Sequence, residues 1–229
     1  LPAVDGTSRL SAALRWGVVH PRQLLDDLGP LDAHRAGTDD AQPRGIRVFV
    51  NELAWREFYA DVLFRNPASA WRNLNPRMDT MPVDTDDAAR VRFARWCDGT
   101  TGFPIVDAGM RQLRATGWMH NRVRMIVASF LVKDLHLPWQ WGARHFLQHL
   151  VDGTDAAPYF RVFNPTGQGE RFDPDGDYVR RWVPELRDVA GSAAHAPGLR
   201  RPESYPAPMV DHAAERAEAL LRYRVVTGR

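Results

Sequence analysis

The sequence predicts an all-α fold, on three observations. Apolar residues recur three and four positions apart along most of the chain, Gly and Pro punctuate those runs, and no run alternates apolar and polar residues as a half-buried strand would. With 229 residues, 44% of them hydrophobic, the chain is long enough to bury a sizeable core. No internal repeat or low-complexity run interrupts the pattern.

The elements follow in order. Leu10, Leu14 and Val18 share one helical face, and Gly29-Pro30 closes that region. Leu53, Phe58 and Val62 form an apolar stripe, with Trp55 and Tyr59 alongside, ending before Asn66-Pro67. Val106, Met110 and Leu113 repeat the pattern between Gly102-Phe103-Pro104 and Gly117. Val123, Ile126, Val127, Phe130 and Leu131 give the most apolar helix, and Phe146, Leu147 and Leu150 the next, after Pro138. Asp152-Gly153 is placed to stop that helix, and Thr154 or Asp155 to cap the following one. From Asp188 to Pro208 the chain is rich in Ala, Pro and Gly, which reads as a loosely packed surface excursion before a last helix, His212 to Tyr223.

Bulk composition excludes several classes. The longest apolar stretch, Met125 to Val132, is broken by Ser129 and followed by Lys133-Asp134, too short to cross a bilayer. A single cysteine, Cys97, rules out an internal disulfide and a cysteine-rich metal site, so a reducing, cytoplasmic setting is expected. The chain begins with Leu1 and shows no signal peptide, so an upstream part is expected to have been removed. The formal charge is only +2, but all of the basic residues except Lys133 are Arg. Arginine's planar donor fork suits phosphate and carboxylate; GC-rich coding would produce the same bias.

Three stretches carry chemistry. In Gly6-Thr7-Ser8-Arg9-Leu10-Ser11, Thr7 or Ser8 is placed to cap the helix of Leu10 and Leu14. Hydroxyls beside Arg9 at a helix start suit a pyrophosphate; the alternative is an ordinary cap. In Asn51-Glu52-Leu53-Ala54-Trp55-Arg56-Glu57-Phe58-Tyr59, the residues Glu52, Trp55, Arg56 and Tyr59 share a second face. A carboxylate there can accept hydrogen bonds from a base while the indole stacks on its ring. The alternative is an amphipathic helix with surface ion pairs. In Gly117-Trp118-Met119-His120-Asn121-Arg122-Val123-Arg124-Met125, the residues Asn121, Arg124 and Met125 lie on one face before an apolar run. An arginine buried there needs an anionic partner, and Asp152 is a candidate; alternatively Arg122 and Arg124 both reach solvent on their long stems. His145 and His149 have a zinc-compatible spacing but no third ligand in pattern, so no metal is expected.

In this order, "GTSRLS" (6–11), "NELAWREFY" (51–59), "TGFPIVDAGMRQLRATGWMHNRVRMIVASFLVKDL" (101–135) and "TDAAPYFRVFNPTGQGERFDPDGDYVRRWVPELRDV" (154–189) resemble the flavin-binding domain of the DNA photolyase and cryptochrome family, and the bacterial cyclobutane-dimer photolyases most. The resemblance implies a helical FAD-binding domain over 1–190, with 191–229 as a C-terminal extension whose last helix packs on it, and without the N-terminal α/β antenna domain. It implies that Thr7, Ser8, Arg9, Leu10 and Ser11 hold the flavin phosphates, and that Asn121, Arg124, Asp152 and Gly153 surround the isoalloxazine. It assigns Glu52, Trp55, Arg56, Tyr59, Asn121 and Arg122 to DNA. Glu52, Trp55, Asn121, Met125 and Trp139 are implied in catalysis, Trp139 as the middle tryptophan of an electron chain. The implied reaction is light-driven splitting of pyrimidine dimers in double-stranded DNA by a monomer using reduced FAD.

Two further departures from the family pattern bear on activity. No tryptophan lies in Val83 to Ala88, where the outermost member of the electron chain is expected. After Gly153 the family continues with an Asn- and Gly-rich loop carrying the innermost tryptophan and flavin contacts, whereas here Thr154 follows directly. The resemblance therefore implies a repair enzyme, a cryptochrome-like flavin- or DNA-binding module without repair, or an inactive remnant.

Overall fold

The computed structural model describes residues 1–29, 41–153 and 163–228, and every regular element among them is helical. The expected caps at Thr154 and Asp155 lie outside the described residues. The chain forms two compact units, Ser8–Leu74, and Leu1–Thr7 together with Asn75–Arg229.

The smaller unit holds α1 (Ser11–Arg15), α2 (Pro21–Asp27) and α3 (Ala41–Arg65). Two sequence expectations fail here. Helix α1 ends at Arg15, so Val18 does not continue its face and is 77% exposed, leaving Leu14 as the buried member. On α3, Leu53 is buried but Phe58 is 53% exposed, so the expected stripe reaches the core only at Leu53. α2 starts at Pro21 because proline's fixed φ suits a first helical position, and His20 caps it by accepting from the Arg22 N–H at 3.2 Å.

The larger unit is built around α5 (Pro104–Thr116), whose residues from Pro104 to Met110 are all buried. Against it pack α4 (Asp87–Asp98), α6 (Asn121–Lys133), α8 (Pro165–Phe172) and α9 (Asp177–Trp182). Helix α7 (Trp139–His149) packs on α6. Gly109 lets α5 and α6 approach: a Cβ there would lie 2.5 Å from Cγ1 of Val123. Fully buried Trp96 of α4 satisfies its indole N–H on the Val127 carbonyl, 3.0 Å away, so its polar atom adds no burial cost. α7 stops at His149 with Leu150 as its C-cap, before Asp152-Gly153.

The segment expected to be a loose excursion is instead built into the core. Tyr205 is fully buried and donates to Oδ2 of Asp107 at 2.6 Å; the Met209 N–H bonds to the Thr101 carbonyl at 2.9 Å. Ala194 and His195 are buried as well. Small residues and prolines there allow close backbone approach: a Cβ on Gly102 would meet the Ala207 carbonyl oxygen at 2.3 Å. The last helix, α10 (His212–Thr227), runs one turn beyond Tyr223. It packs on α6 and is fastened by polar contacts, His212 to Asp134, Glu215 to His136 at 2.7 Å and Arg222 to Asp84 at 2.8 Å. No helix among the described residues is long and apolar enough to cross a membrane.

Candidate flavin and nucleic-acid site

In the larger unit the candidate residues gather where α6 begins. His120 is the N-cap, its Nδ1 accepting the Arg122 N–H at 3.1 Å. Burial first, then nearby positive charge including Arg122 and Arg124, pushes this histidine down to about 4. The ring is therefore neutral at pH 7, as an accepting cap requires. Asn121 is exposed on the first turn.

Arg124 commits three of its N–H donors: Nε to the Met119 carbonyl at 2.8 Å, and the two terminal nitrogens to Asp152 at 3.0 and 2.8 Å. The Asp152 carboxylate is only 4% exposed and the Arg124 side chain 23%. Of the two readings of Arg122 and Arg124, the geometry gives Arg124 the anionic partner. Arg122 lies over the Phe172 ring, 4.6 Å from its centre, with the Met125 sulfur 3.7 Å from its Nη1.

A short turn presents Asp152. The Val151 N–H bonds to the Gly117 carbonyl at 2.8 Å, and the Gly153 N–H to the Leu150 carbonyl at 3.0 Å. Gly117 and Gly153 have φ of +67° and +63°, which L side chains rarely adopt. The turn after α7 is thus tied to the α5–α6 connection both by backbone and by the Arg124–Asp152 pair. Trp139 is not part of this cluster. It opens α7 whereas Asp152 follows its end, and eleven helical residues separate those ends by about 16 Å.

In the smaller unit, Glu52, Trp55, Arg56 and Tyr59 all lie on α3. The Trp55 and Tyr59 rings stack at 6.0 Å, and Phe58 meets Trp55 edge-on at 5.6 Å. Trp55 nevertheless remains 54% exposed, and Glu52 is exposed beside it. Arg56 bonds to the Leu14 carbonyl at 3.3 Å and pairs with Glu57.

The phosphate stretch departs from expectation. Neither Thr7 nor Ser8 caps α1; Leu10 is the N-cap and provides no side-chain bond. Arg9 has a φ of +52°, which breaks helical geometry just before Leu10, so the helix starts too late for either hydroxyl. Thr7, Ser8 and Ser11 are exposed. Sequence reasoning also missed the His120 cap and Phe172. A histidine before Asn-Arg signals a cap weakly, and the contact between Arg122 and Phe172 depends on α8 packing against α6.

The sequence pattern of the family described as the FAD binding domain of DNA photolyase matches residues 49–225. The chain belongs to that family. A deoxyribodipyrimidine photo-lyase of Vibrio cholerae is 44% identical over 99% of the chain, and one of Escherichia coli 43% identical over 97%. This photolyase-type chain spans about half the length of those relatives, 51% and 50%. Among solved structures, a bacterial class III photolyase from Agrobacterium tumefaciens is similar with a TM-score of 0.85 and 40% identity, covering 100% of this chain and 51% of its own. A Synechocystis cryptochrome gives a TM-score of 0.79 at 29% identity, covering 95% and 49%. The all-helical class and the family agree with the sequence-based expectation. The Vibrio alignment runs over 253 positions, more than the 229 residues of the whole chain, so that relative carries an insertion of over twenty positions in total.

Proposed function

We propose that this chain is the flavin- and lesion-binding part of a photolyase, repairing cyclobutane pyrimidine dimers in double-stranded DNA under light. The observation that carries the reading is the bidentate Arg124–Asp152 pair beneath the first turn of α6, in a chain of this family. The residues fit FAD in donor chemistry. Arg124 is not fully buried and has N–H groups beyond the three it commits, and the Asn121 amide is exposed next to it, so both can serve ring carbonyl and nitrogen acceptors. Exposed hydroxyls at Thr7, Ser8 and Ser11, with Arg9, suit the phosphates. Leu10 and Gly153 contribute through their backbone.

When bound, reduced FAD supplies the photoexcited electron. The chain's own residues do the rest. On α3 the exposed Trp55 indole stacks on the lesion and Glu52 accepts its N–H groups; on α6 Met125 and Asn121 are the residues assigned to the reaction. Arg56, Tyr59 and Arg122 hold the strand, and Trp139 would be the middle tryptophan of an electron chain to the bound flavin, without its outermost and innermost members. The packing of α10 on α6 supports the expectation that the last helix of 191–229 packs on the helices before it. The same reading makes the chain a cytoplasmic monomer.

A second reading, flavin or DNA binding without repair, is favoured by the direct Gly153–Thr154 junction and by the longer alignment with the Vibrio relative. One experiment separates them: the purified chain is titrated with oxidised FAD, desalted, reduced, and illuminated with a dimer-containing duplex. Retained flavin absorbance with dimer loss supports repair. Retained flavin without dimer loss supports the second reading, and no retained flavin overturns repair and the flavin-binding form of the second reading.

A further inference from the structure

Two crossed acid–base pairs join the last helix to the connection between α6 and α7. Asp134 and His136 stand two residues apart on that connection, and His212 and Glu215 stand three apart on one face of α10. His212 Nδ1 bonds to Oδ1 of Asp134, and His136 Nε2 to Oε2 of Glu215 at 2.7 Å. Each segment therefore supplies one acid and one base. The connection side is enclosed, with Asp134 1% exposed and His136 6%. His136 has a φ of +53°, a conformation that a residue other than glycine keeps only where its surroundings fix it. Its carbonyl is held by the Asp84 N–H at 2.9 Å.

The enclosure lacks a counter-charge for Asp134. Its second oxygen, Oδ2, is buried and has no hydrogen-bond partner among the described residues. A carboxylate left so is under-solvated, and Glu215 adds a like charge from α10. The cations nearby are committed elsewhere. Arg92 and Arg222 both pair with Asp84 at 2.8 Å, and Arg222 also with Glu218 at 2.7 Å. Asp211 is spent on capping α10, accepting the Ala213 and Ala214 N–H groups. Lys133, next to Asp134 in the chain, is half-buried, and burial holds its ammonium below the usual range. Only His212 faces Asp134 with a proton to share.

We propose that Asp134, His136, His212 and Glu215 form a proton-dependent clasp for the C-terminal helix: a proton shared between Asp134 and His212 holds α10 on the α6–α7 connection, and its loss loosens that helix. Without the shared proton the pair keeps its hydrogen bond but encloses a net negative charge facing Glu215. Burial first pushes the Asp134 carboxyl up to about 6, against the His212 bond and with the help of Glu215. A carboxyl raised in this way contributes stability that is complete below the ordinary 3.8 and lost as pH rises through about 6. The clasp is independent of the flavin and DNA reading, since none of its four residues is assigned to either.

Native-state hydrogen exchange tests it, with the protection of α10 amides taken relative to those of α5 and corrected for intrinsic rates. Acid effects that act on the whole larger unit, such as those of His120, cancel in that ratio. In the wild-type chain the relative protection of α10 should fall about tenfold from pH 5.0 to pH 7.5, the span expected of one group moved from 3.8 to about 6. Asp134→Asn keeps an acceptor for His212 but does not titrate, so its ratio should stay level over that range. A level ratio in wild type overturns the clasp, as does an Asp134→Asn protein that keeps the wild-type pH dependence. Should that variant fail to fold, the carboxyl carbon resonance of Asp134 in the wild-type chain decides: a midpoint near 6 supports the clasp, and one at the ordinary 3.8 overturns it.

Discussion

Asp152 accepts hydrogen bonds from both terminal nitrogens of Arg124, and the acid is buried while the base keeps a solvent edge. That asymmetry predicts unequal costs for the two halves of the pair. Arg124→Ala leaves a buried carboxylate without its partner, whereas Asp152→Asn leaves a guanidinium that water can reach. Arg124→Ala should cost about 2–3 kcal/mol and Asp152→Asn about 1–2, between the limits for buried and exposed pairs. Urea unfolding of the two variants decides the order, and both should retain less flavin after desalting.

Trp55 predicts the opposite balance. Its ring is more than half exposed, so Trp55→Ala should change stability by about 1 kcal/mol, the scale of one aromatic contact with Tyr59 or Phe58. Binding of a dimer-containing duplex should fall by about 1–3 kcal/mol, the scale of one stacked base. A gel shift that shows no loss would remove α3 from the lesion site.

His120 predicts acid sensitivity. Its folded-state value is held at about 4, below the ordinary 6.5, so its contribution to stability is complete above 6.5 and lost as pH falls from there through about 4. Protonation also removes the acceptor that caps α6. His145 is displaced the same way, chiefly by burial, and adds to the loss. His120→Asn keeps an accepting cap that does not titrate and should reduce the drop in melting temperature between pH 7 and pH 4; His120→Ala should cost about 1 kcal/mol at pH 7.

Much of this site was legible in the sequence because it depends on spacing along single helices. Asn121, Arg124 and Met125 are grouped by helical geometry alone, and the need of a half-buried Arg124 for an anion pointed to Asp152. The apolar periods of α5 and α6 were equally plain. What could not be read depends on contacts between distant segments. Nothing local marks Tyr205 as the partner of Asp107, or Phe172 as the ring beneath Arg122. A stretch rich in Ala, Pro and Gly looks the same whether it lies in solvent or threads between helices. The start of α1 was misplaced for a local reason, since the positive φ of Arg9 has no residue signature such as Gly or Asn.

Gly169 gives a packing test. An added methyl would meet the His195 ring at 2.3 Å, and that ring is fully enclosed, so Gly169→Ala should destabilise by about 1–3 kcal/mol. Combining it with His195→Ala should cost less than the sum of the two single changes, which a double-mutant cycle measures.

Tyr205→Phe removes one donor from a carboxylate that otherwise accepts from the Thr101 N–H and hydroxyl and the Gly102 N–H. Burial already pushes Asp107 above the usual carboxylate range, against which these bonds act. The substitution should cost about 1.5–3 kcal/mol, the scale of a hydrogen bond to a charged group, read by denaturant unfolding at pH 7.

The Tyr205–Asp107 bond also sets an order of events during synthesis. Asp107 leaves the ribosome almost a hundred residues before the tyrosine that completes its shell, so the nascent chain carries the start of α5 with one partner still untranslated. The larger unit can reach its final packing only after Tyr205 has emerged. A ribosome stalled between α9 and that tyrosine should therefore hold a helical but protease-sensitive chain, converted to a resistant one by a few further codons.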